Sequence, residues 1–457
     1  MSTIAPLSGF PEFLPADRIV EQHFLDVIRE TFELHGFASV ETRSVEPIER
    51  LSAQGEDADK EIYAISRLAG APDGSLAGEA REARLGLHFD LTVPFARYVL
   101  ENAGRLAFPF RRYQIQKVWR GERPQEGRYR EFTQADIDVV NPGSLPGHVE
   151  AELPLVVADA FSRLPIGEFV IGVNNRRIPE GFYRGIGLED VTGTLRIVDK
   201  LDKIGSGGVT ELLLTSGASL EQARQCLALA EIRCFDTSFV TRVRGLGVAH
   251  PLLEQGLEEL AAVVETVSVA APGRIAADLK IARGLDYYTG TVYETTLLGY
   301  ESWGSFCSGG RYDTLASDGR TTYPGAGISI GVSRLLGLLM GKGLVTATRS
   351  VPSCVLIALN TDDERPRSTA IATALRARGI PCEVSPQAAK FGKQIRYAER
   401  RGIPFVWFPG RVGDDGSLGT DEVKDIRSGA QVPADAVTWA PPADDLRPRV
   451  VRTSDAS

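Results

Sequence analysis

The spacing of hydrophobic residues divides the chain into three successive blocks. In the first block, apolar side chains recur at helical spacing from Pro15 to His35, and two-residue alternation predicts strands at Tyr113–Arg120 and Glu131–Val140. Between about 178 and 271 helical runs such as Leu220–Ala230 dominate, which predicts an inserted helical domain. The strand pattern resumes after this stretch, so the helical block interrupts a larger folded unit.

The third block begins after Ser350, where short strands alternate with helices and favour a small mixed α/β domain over 350–440. Residues 441–457 are rich in proline and charge and predict a disordered tail, and residues 70–82 predict a surface loop. The other predicted strands are Phe37–Val45, Leu85–Leu91, Phe169–Asn174, Ile275–Ala282, Thr291–Leu298, Cys354–Leu359, Cys382–Val384 and Ile403–Phe408. The other predicted helices are Val93–Glu101, Gly147–Leu164, Leu252–Val269, Arg367–Arg378 and Lys390–Arg401, while Gly325–Met340 reads as a strand that passes into a helix.

Composition and charge narrow the possible functions. The 457 residues carry a formal net charge of −9, so any contact with RNA must come from local basic patches. The five cysteines are scattered without a CxxC pair, which gives no zinc pattern and favours a reducing compartment. Because the chain shows neither a signal peptide nor an apolar run of about 20 residues, we expect a cytoplasmic protein without a membrane segment.

The segment between the first two predicted strands concentrates arginines around one aromatic ring, with Arg120, Arg123, Arg128 and Arg130 close to Phe132. Arginine suits phosphate because its planar group donates paired hydrogen bonds and stays charged. A neighbouring aromatic ring can stack on a purine. The pattern therefore indicates a phosphate- and adenine-binding loop, although a solvated basic hairpin explains it equally well when it is taken alone. The P-loop sequence GxxxxGK[ST] is absent.

Three further clusters follow downstream. RGLDYYTG at 283–290 places an arginine and two tyrosines beside glycines, as in a pocket wall, but an ordinary turn accounts for it too. CSGGRYD at 307–313 contains a double glycine that permits close approach of the backbone to a ligand. GAGISIGVSR at 325–334 has small residues along a strand, which suit either a nucleotide or close helix packing.

In combination and in this order, the clusters resemble the signatures of histidyl-tRNA synthetases. WRGERPQEGRYREFTQ is similar to motif 2 of class II synthetases, and GISIGVSRLL is similar to motif 3. RGLDYY and GGRYD resemble elements particular to the histidine enzymes and their close relatives, and LHFDLTVPFARY at 87–98 resembles another family element. The resemblance extends over nearly the whole chain, from Gly9 to about Gly429.

The resemblance implies an α+β fold. A class II catalytic domain with an antiparallel sheet would occupy 1–345, with the helical insertion at about 178–271, and a mixed α/β anticodon-binding domain would follow. The implied activity is histidine–tRNA ligase: L-histidine reacts with ATP, accompanied by Mg²⁺, to histidyl-adenylate, and the histidyl group then passes to the 3′ end of histidine tRNA. The family is homodimeric, so a homodimer is expected.

The resemblance also assigns residues, with no protein ligand to a metal among them. Arg120 and Arg283 would be catalytic, holding the α-phosphate and the developing charge from two sides. ATP would be bound by Arg120, Glu122, Arg128, Phe132 and Arg334, with Phe132 stacked on adenine. Histidine would be bound by Asp90, Leu91, Thr92, Gln134, Asp138, Tyr287, Tyr288 and Tyr312. Within that set Asp90, Thr92 and Gln134 would receive the ammonium group, while Asp138 and Tyr288 would address the two imidazole nitrogens. The arginines and lysines between Arg365 and Arg401 would form a surface facing the tRNA, unless they are merely solvated helix faces.

The chain departs from the family pattern at four positions. His88 stands where an arginine is common, Arg43 replaces the proline typical of motif 1, and Ser333 replaces a frequent glutamate. Asp138 is one methylene shorter than the glutamate of some members. The change at Arg43 weakens the motif-based argument for a dimer interface.

Three rival functions are weighed against the ligase. The first is a non-catalytic synthetase paralogue that acts as the regulatory subunit of ATP phosphoribosyltransferase in histidine biosynthesis. Such paralogues usually lack the anticodon-binding domain and degrade RGLDYY, whereas both are predicted in this chain. An RNA-sensing module without catalysis is disfavoured because Arg120, Arg128 and Arg334 are present. A class II synthetase for another amino acid is disfavoured by RGLDYY and GGRYD.

Overall fold

The structure is a computed structural model that describes residues 5–52, 61–66, 85–281, 287–411 and 419–453. The chain divides into two compact units. The larger unit comprises Met1–Pro11 and Phe24–Leu338, and the smaller unit comprises Glu12–His23 and Leu339–Ser457. Within the described residues, no helix combines the length and the apolar character that crossing a membrane requires.

The strands are β1 (Ala38–Ser39), β2 (Val45–Pro47), β3 (Ala64–Ile65), β4 (Leu85–Leu87), β5 (Phe110–Trp119), β6 (Glu131–Val140), β7 (Phe169–Asn175), β8 (Arg233–Cys234), β9 (Ile275–Asp278), β10 (Thr291–Leu297), β11 (Cys307–Tyr312), β12 (Gly325–Gly331), β13 (Val345–Ala347), β14 (Val355–Ile357), β15 (Cys382–Val384), β16 (Phe405–Phe408), β17 (Asp421–Asp425), β18 (Gln431–Ala434) and β19 (Val450–Arg452).

The α-helices are α1 (Pro15–Leu34), α2 (Ile48–Leu51), α3 (Thr92–Asn102), α4 (His148–Ser162), α5 (Arg177–Gly185), α6 (Val191–Val198), α7 (Leu201–Thr215), α8 (Leu220–Ala230), α9 (Phe239–Arg244), α10 (Pro251–Ala270), α11 (Val332–Gly341), α12 (Arg365–Ala377), α13 (Phe391–Arg401) and α14 (Ala443–Leu446). Short 3₁₀ turns occur at Ala103–Arg105, Glu301–Trp303 and Asp362–Glu364.

A nine-stranded sheet in the order β1-β5-β6-β12-β11-β10-β7-β9-β8 forms the centre of the larger unit. The pairings from β5 through β6, β12, β11 and β10 to β7 are all antiparallel, while β1–β5 and β7–β9 are parallel. This confirms the expected antiparallel-sheet core. A separate three-stranded sheet in the order β2-β4-β3 lies in the same unit.

Strand β6 shows how the sequence pattern produces this sheet. Side chains alternate between its two faces, so Ala135, Ile137 and Val139 point to one side, where each is at most 1% exposed. Gln134 and Asp136 point to the other side together with Asp138. The apolar face joins the core, and the polar face is left to line a site.

The helices α5 to α10 lie within 177–270, with the short strand β8 among them. Their ends follow local rules. Ser219 begins α8 with a capping box, in which its hydroxyl accepts from Gln222 N at 3.2 Å and the Gln222 side chain accepts from Ser219 N at 2.8 Å. Pro251 opens α10, where a residue without an N–H is tolerated.

The smaller unit contains a five-stranded sheet in the order β15-β14-β16-β17-β18, with β14, β15 and β16 parallel and β17 and β18 antiparallel. Its core includes fully buried Trp407, Val355 and Leu375. A mixed α/β unit was therefore predicted correctly for this part of the chain.

Four predicted features need correction or fall outside the structure. The tail is not disordered up to residue 453: Val450–Arg452 pairs with Val345–Ala347, and Leu446 packs on the core of the smaller unit. The predicted strand Phe37–Val45 is two short strands that belong to different sheets. Strand β4 ends at Leu87, before the turn that leads into α3. The predicted loop at 70–82 lies outside the described residues.

Candidate active site

The site is built on the polar face of β6 and its two neighbouring strands. In the sheet register Asp138 is opposite Arg112 of β5 and Gly327 of β12, and Asp136 is opposite Gln114 and Ser329. Antiparallel neighbours that face each other bring their side chains within contact distance. Three adjacent strands therefore supply one polar surface inside the unit.

Asp138 is held by two buried partners. Arg112 Nη2 lies 2.6 Å from Asp138 Oδ2, and the side chains are 0% and 2% exposed. The hydroxyl of Tyr312 donates to Asp138 Oδ1 at 2.8 Å, and the Arg112 guanidinium lies 4.2 Å from the centroid of the Phe95 ring. Burial raises the pKa of Asp138, while the charge of Arg112 and the Tyr312 hydrogen bond offset part of that effect. The carboxylate is thus fixed in position.

Glycines make room for these side chains. A Cβ on Gly327 would lie 2.1 Å from Asp138 Oδ1, and a Cβ on Gly310 would lie 2.9 Å from the ring of Tyr288. Both distances are too short for any larger residue. The glycines in GGRYD and in β12 therefore allow the side chains of Tyr288 and Asp138 to lie close to the strand backbone.

Three tyrosine rings pack against one another beside Asp138. The ring centroids of Tyr287 and Tyr288 are 4.8 Å apart, and those of Tyr287 and Tyr312 are 6.0 Å apart, each pair in an edge-to-face arrangement. A narrow pocket opens beside them. It is lined by Thr92, Asp136, Asp138, Tyr288, Tyr312, Gly327, Ile328 and Ser329.

The turn that leads into α3 places Asp90 and Leu91 near Arg112, and Thr92, the first residue of α3, lines the pocket. Asp90 Oδ1 accepts from Val93 N at 3.2 Å, and burial raises the pKa of Asp90 to about 6. The carbonyl of Leu91 accepts from Arg112 Nη2 at 3.3 Å, so Leu91 contributes its backbone while its side chain is fully buried. The turn is therefore tied to the same arginine that holds Asp138.

Gln134 lies at the other end of the polar row. Its amide nitrogen donates to Ser329 Oγ at 2.5 Å, and its oxygen Oε1 is buried without a hydrogen-bond partner among the residues that the structure describes. Asp90 Oδ2 is likewise buried and has no hydrogen-bond partner among the described residues. Buried acceptors of this kind are costly unless a ligand supplies the missing donors.

Arg120 and Phe132 form a second part of the site at the open end of β5 and β6. Arg120 Nε donates to the carbonyl of Phe89 at 3.0 Å, and its guanidinium carbon lies 5.2 Å from the centroid of the Phe132 ring. Glu122 Oε1 is 3.9 Å from Arg120, and Glu122 Oε2 is 3.5 Å from Arg128. The predicted ATP-binding residues are thus neighbours.

Arg334 of α11 belongs to this group. It donates to the carbonyl of Trp303, and its pKa is lowered to about 10, first by burial and then by the positive charge of Arg128. Two arginines that repel each other are stabilised by an anion placed between them. The electrostatics therefore favour an anion at this position.

The structure brings together all the predicted site residues except Arg283, which lies outside the described residues with the rest of 282–286. Sequence reasoning missed Arg112, Asp136 and Ser329, which line or support the pocket. Their signal was polar alternation on β5, β6 and β12, but the strand register was needed to bring them together.

The departures from the family pattern each have a local partner. His88 Nε2 lies 2.7 Å from the carbonyl of Lys117 and burial lowers its pKa, so the neutral ring donates there. Arg43 lies 3.1 Å from Glu46 and 3.7 Å from Glu101. Ser333 Oγ accepts from Thr133 N at 2.8 Å. These residues maintain the frame around the site.

Comparison with known proteins gives consistent matches. The family model described as Histidyl-tRNA synthetase matches residues 9–335, and that described as Anticodon binding domain matches 353–436. The chain is 61% identical to a Histidine--tRNA ligase of Micrococcus luteus, with 100% of each chain covered, and 58% identical to one of Cutibacterium acnes, with 99% and 100% covered. The crystal structure of histidyl-tRNA synthetase from Nostoc sp. PCC 7120 aligns with a TM-score of 0.84 at 33% identity, covering 95% of this chain and 98% of that chain.

Proposed function

Because the chain belongs to the histidyl-tRNA synthetase family and is an aminoacyl-tRNA ligase, we propose that the buried pocket on β6 binds L-histidine and that the arginine group beside it binds ATP. The full-length relatives named Histidine--tRNA ligase support catalysis rather than the regulatory role in ATP phosphoribosyltransferase. The observation that carries the site assignment is the fixed Asp138, held by Arg112 and Tyr312 on the wall of a polar pocket.

At the amino-acid end, Asp90, Thr92 and Gln134 bind the ammonium group. Asp90 Oδ2 and Gln134 Oε1 are acceptors awaiting donors, which an ammonium group supplies. Tyr288 and Asp138 line the pocket and contact the imidazole, and Tyr287 and Tyr312 enclose it. Fixed hydrogen-bonding groups reject isosteres that cannot satisfy them.

At the nucleotide end, Arg120 binds the α-phosphate and Phe132 stacks on adenine. The histidine carboxylate attacks the α-phosphorus, a bond to phosphorus forms, and the bond to the pyrophosphate oxygen breaks. Arg120 stabilises the charge that develops, and Arg128 and Arg334 bind the leaving phosphates. Glu122 lies beside the adenine amino group. We assign Arg283 the opposite side of the α-phosphate on the basis of its place in RGLDYY.

Mg²⁺ enters with ATP as part of the substrate. In the described part of the chain, no group of three or more histidine, cysteine or acidic side chains is arranged to hold a metal ion. The carboxylate next to the arginine group is that of Glu122.

In the second step the histidyl group passes to the 3′ end of histidine tRNA, and the smaller unit binds the anticodon region. Several of its arginines are neutralised internally, such as Arg367 by Asp421 at 2.7 Å. Lys393, Arg396 and Arg400 are exposed at helical spacing along α13, and exposed Lys390 precedes them. This face is the surface that we propose for tRNA.

We further propose that the protein is a cytoplasmic homodimer, as its family implies. All five cysteines are free and buried, which suits a reducing compartment. Light scattering on the purified protein tests the dimer, since a monomer at micromolar concentration contradicts it.

The function is tested by ATP–pyrophosphate exchange measured with each of the twenty amino acids. Exchange is expected with L-histidine alone and only when Mg²⁺ is present. Exchange with a different amino acid, or with none, contradicts the assignment. Transfer of labelled histidine to histidine tRNA then tests the second step independently.

A further inference from the structure

A closed ring of hydrogen bonds lies on the chain that follows RGLDYY and has no part in the assignments above. Arg311 of β11 is its centre: Nη1 donates to Glu150 Oε1 at 2.8 Å, and Nε donates to Asp313 Oδ1 at 2.9 Å. The second oxygen of Glu150 accepts from Thr291 N at 3.3 Å. The second oxygen of Asp313 accepts from the Thr289 hydroxyl at 2.6 Å. The backbone between the two threonines closes the ring.

The ring is largely shielded from water. The side chains of Arg311 and Glu150 are 15% and 6% exposed, and that of Asp313 is 27% exposed. Two carboxylates share one guanidinium, and each carboxylate oxygen accepts a hydrogen bond from the protein. Shielded charges that are paired in this way hold one geometry, because moving one partner leaves another unsatisfied. The ring can therefore fix the backbone to which it is bonded.

Gly290 shows how closely this backbone is held. A Cβ on Gly290 would lie 2.8 Å from Arg311 Cδ, so the arginine side chain packs directly on the peptide between the two threonines. Thr289 N also donates to the carbonyl of Arg311 at 2.8 Å, and the carbonyl of Gly290 accepts from Arg176 N at 2.9 Å. Residues 289–291 are thus fixed by side-chain and backbone contacts together.

The fixed segment continues directly from the two tyrosines of RGLDYY. Tyr288 lines the pocket, and its ring lies against Gly310, the neighbour of Arg311 in GGRYD. Because Tyr288 is bonded to Thr289, a displacement of the segment moves the tyrosine hydroxyl relative to the pocket. Hydrogen bonds weaken steeply with distance and angle, so a small displacement is enough to impair a contact made by that hydroxyl.

We propose that Arg311, together with Glu150 and Asp313, is a positioning residue for histidine binding: the ring fixes 289–291 and thereby holds the Tyr288 hydroxyl where it contacts the imidazole. The proposal rests on the function proposed above, which places Tyr288 on the imidazole. None of the three charged residues is among the described residues that line the pocket, so they act through the backbone. GGRYD then serves to hold RGLDYY, and the two elements operate as one unit.

Thr289→Val and Thr289→Ser test the ring with the least disturbance, in histidine-dependent ATP–pyrophosphate exchange. Thr289→Val keeps the shape of the side chain but removes the donor to Asp313. It is expected to raise the KM for histidine about tenfold while the KM for ATP changes less than about twofold. Thr289→Ser retains the hydroxyl and should stay within about twofold of wild type. Equal changes in the two KM values, or a serine variant as impaired as the valine variant, would overturn the proposal.

A second comparison separates positioning of Tyr288 from general support of the fold. Asp313→Ala removes two bonds of the ring and should raise the KM for histidine more than Thr289→Val does. In protein that already carries Tyr288→Phe the positioned hydroxyl is absent, so Asp313→Ala should change this KM by less than about a further twofold. If Asp313→Ala has the same effect in both backgrounds, the ring does not act through the Tyr288 hydroxyl and the proposal is wrong.

Glu152→Ala is the matched control. Glu152 lies on the same helix as Glu150 and also pairs with an arginine, Arg111, with the two side chains 32% and 27% exposed. It should leave the KM for histidine unchanged, whereas Glu150→Ala should raise it. Thermal melting of each variant shows whether the fold is retained. If wild-type protein gives no exchange with histidine, the proposed function itself fails; if wild type is active and Thr289→Val matches it, only this inference fails.

Discussion

At the end of the site that we assign to histidine, Arg112 and Asp138 form a buried ion pair, whereas at the ATP end the arginines are partly exposed and lie farther from their acidic partner. Arg112 and Asp138 meet at 2.6 Å with at most 2% of either side chain exposed. Arg120 and Arg128 are 31% and 50% exposed and lie 3.9 and 3.5 Å from Glu122. A small uncharged ring is recognised by a rigid pocket, while a flexible polyphosphate with its cation is bound by mobile charges that need little desolvation.

The largest effect is expected from breaking the buried pair. Arg112→Met should lower the free energy of unfolding by about 3–5 kcal/mol, because it leaves Asp138 as an uncompensated buried charge. Histidine-dependent exchange should be lost with it. Urea unfolding followed by circular dichroism provides the measurement.

Arg111→Met is the matched control for that variant. Arg111 lies on the other face of β5 and pairs with Glu152 at 2.5 Å, but the two side chains are 27% and 32% exposed. A pair of this kind contributes only about 0–1 kcal/mol. Equal destabilisation by both substitutions would show that burial of the Arg112–Asp138 pair does not set it apart from a partly exposed ion pair.

The second prediction concerns the ATP end. Arg120→Ala should reduce kcat for exchange by about 10²–10³ without changing the melting temperature, because the lost donor stabilises charge in the transition state. Arg128→Ala should instead act chiefly on the KM for ATP, since its half-exposed side chain binds the outer phosphates. Pre-steady-state adenylate formation distinguishes the two, and identical kinetic defects would count against separate roles.

The third prediction tests how closely the histidine end is packed. Gly327→Ala places a methyl group 2.1 Å from Asp138 Oδ1 and should cost about 1–3 kcal/mol of stability while raising the KM for histidine. Gly331→Ala on the same strand meets no atom closer than 3.4 Å and should be tolerated. If Gly327→Ala binds histidine normally, the position of Asp138 does not matter for binding.

The smallest effect is expected from pH. Burial raises the pKa of Asp136, which lines the pocket, to about 7, so its negative charge is present above that value and lost below it. The KM should rise about fourfold from about pH 8 to about pH 6.5, measured with 1,2,4-triazole-3-alanine, whose ring stays neutral over this range. The titratable groups that act on Asp136 are Arg112, Asp138, Asp90, Tyr288 and Cys307.

Asp136→Asn serves as the control for the pH experiment. An amide does not titrate, so the variant should lack the rise above about pH 6.5 and retain only the contribution of Asp90, whose pKa is raised to about 6. An unchanged profile in Asp136→Asn would assign the titration to a different group.

The local spacing of apolar and polar residues predicted much of the fold. Two-residue alternation placed β5 and β6, and helical spacing placed α4, α8 and α10, because each element exposes one face and buries the other. The resemblance supplied the sheet architecture. The motif arginines and tyrosines were predicted for the same reason: each belongs to a short contiguous motif.

The groups that were missed depend on strand register. Arg112 and Asp138 lie on different strands, and only the pairing of β5 with β6 shows that they meet. The same pairing reveals Asp136 opposite Gln114. The tail was predicted wrongly because proline and charge hid the apolar pair Val450 and Val451, which pairs with β13. The composition of a segment is an average over all its residues, whereas a strand forms from a few residues that hydrogen-bond to a neighbouring strand.

The pairing of β13 with β19 has a consequence for what a shortened chain would expose. Val345 and Arg452 are direct partners, and the two strands form a sheet of their own. A chain cut before Val450 would leave the backbone groups of Val345–Ala347 without their strand partner. A strand with unpaired backbone groups is a template for pairing with another chain, so β19 protects the protein against edge-to-edge association.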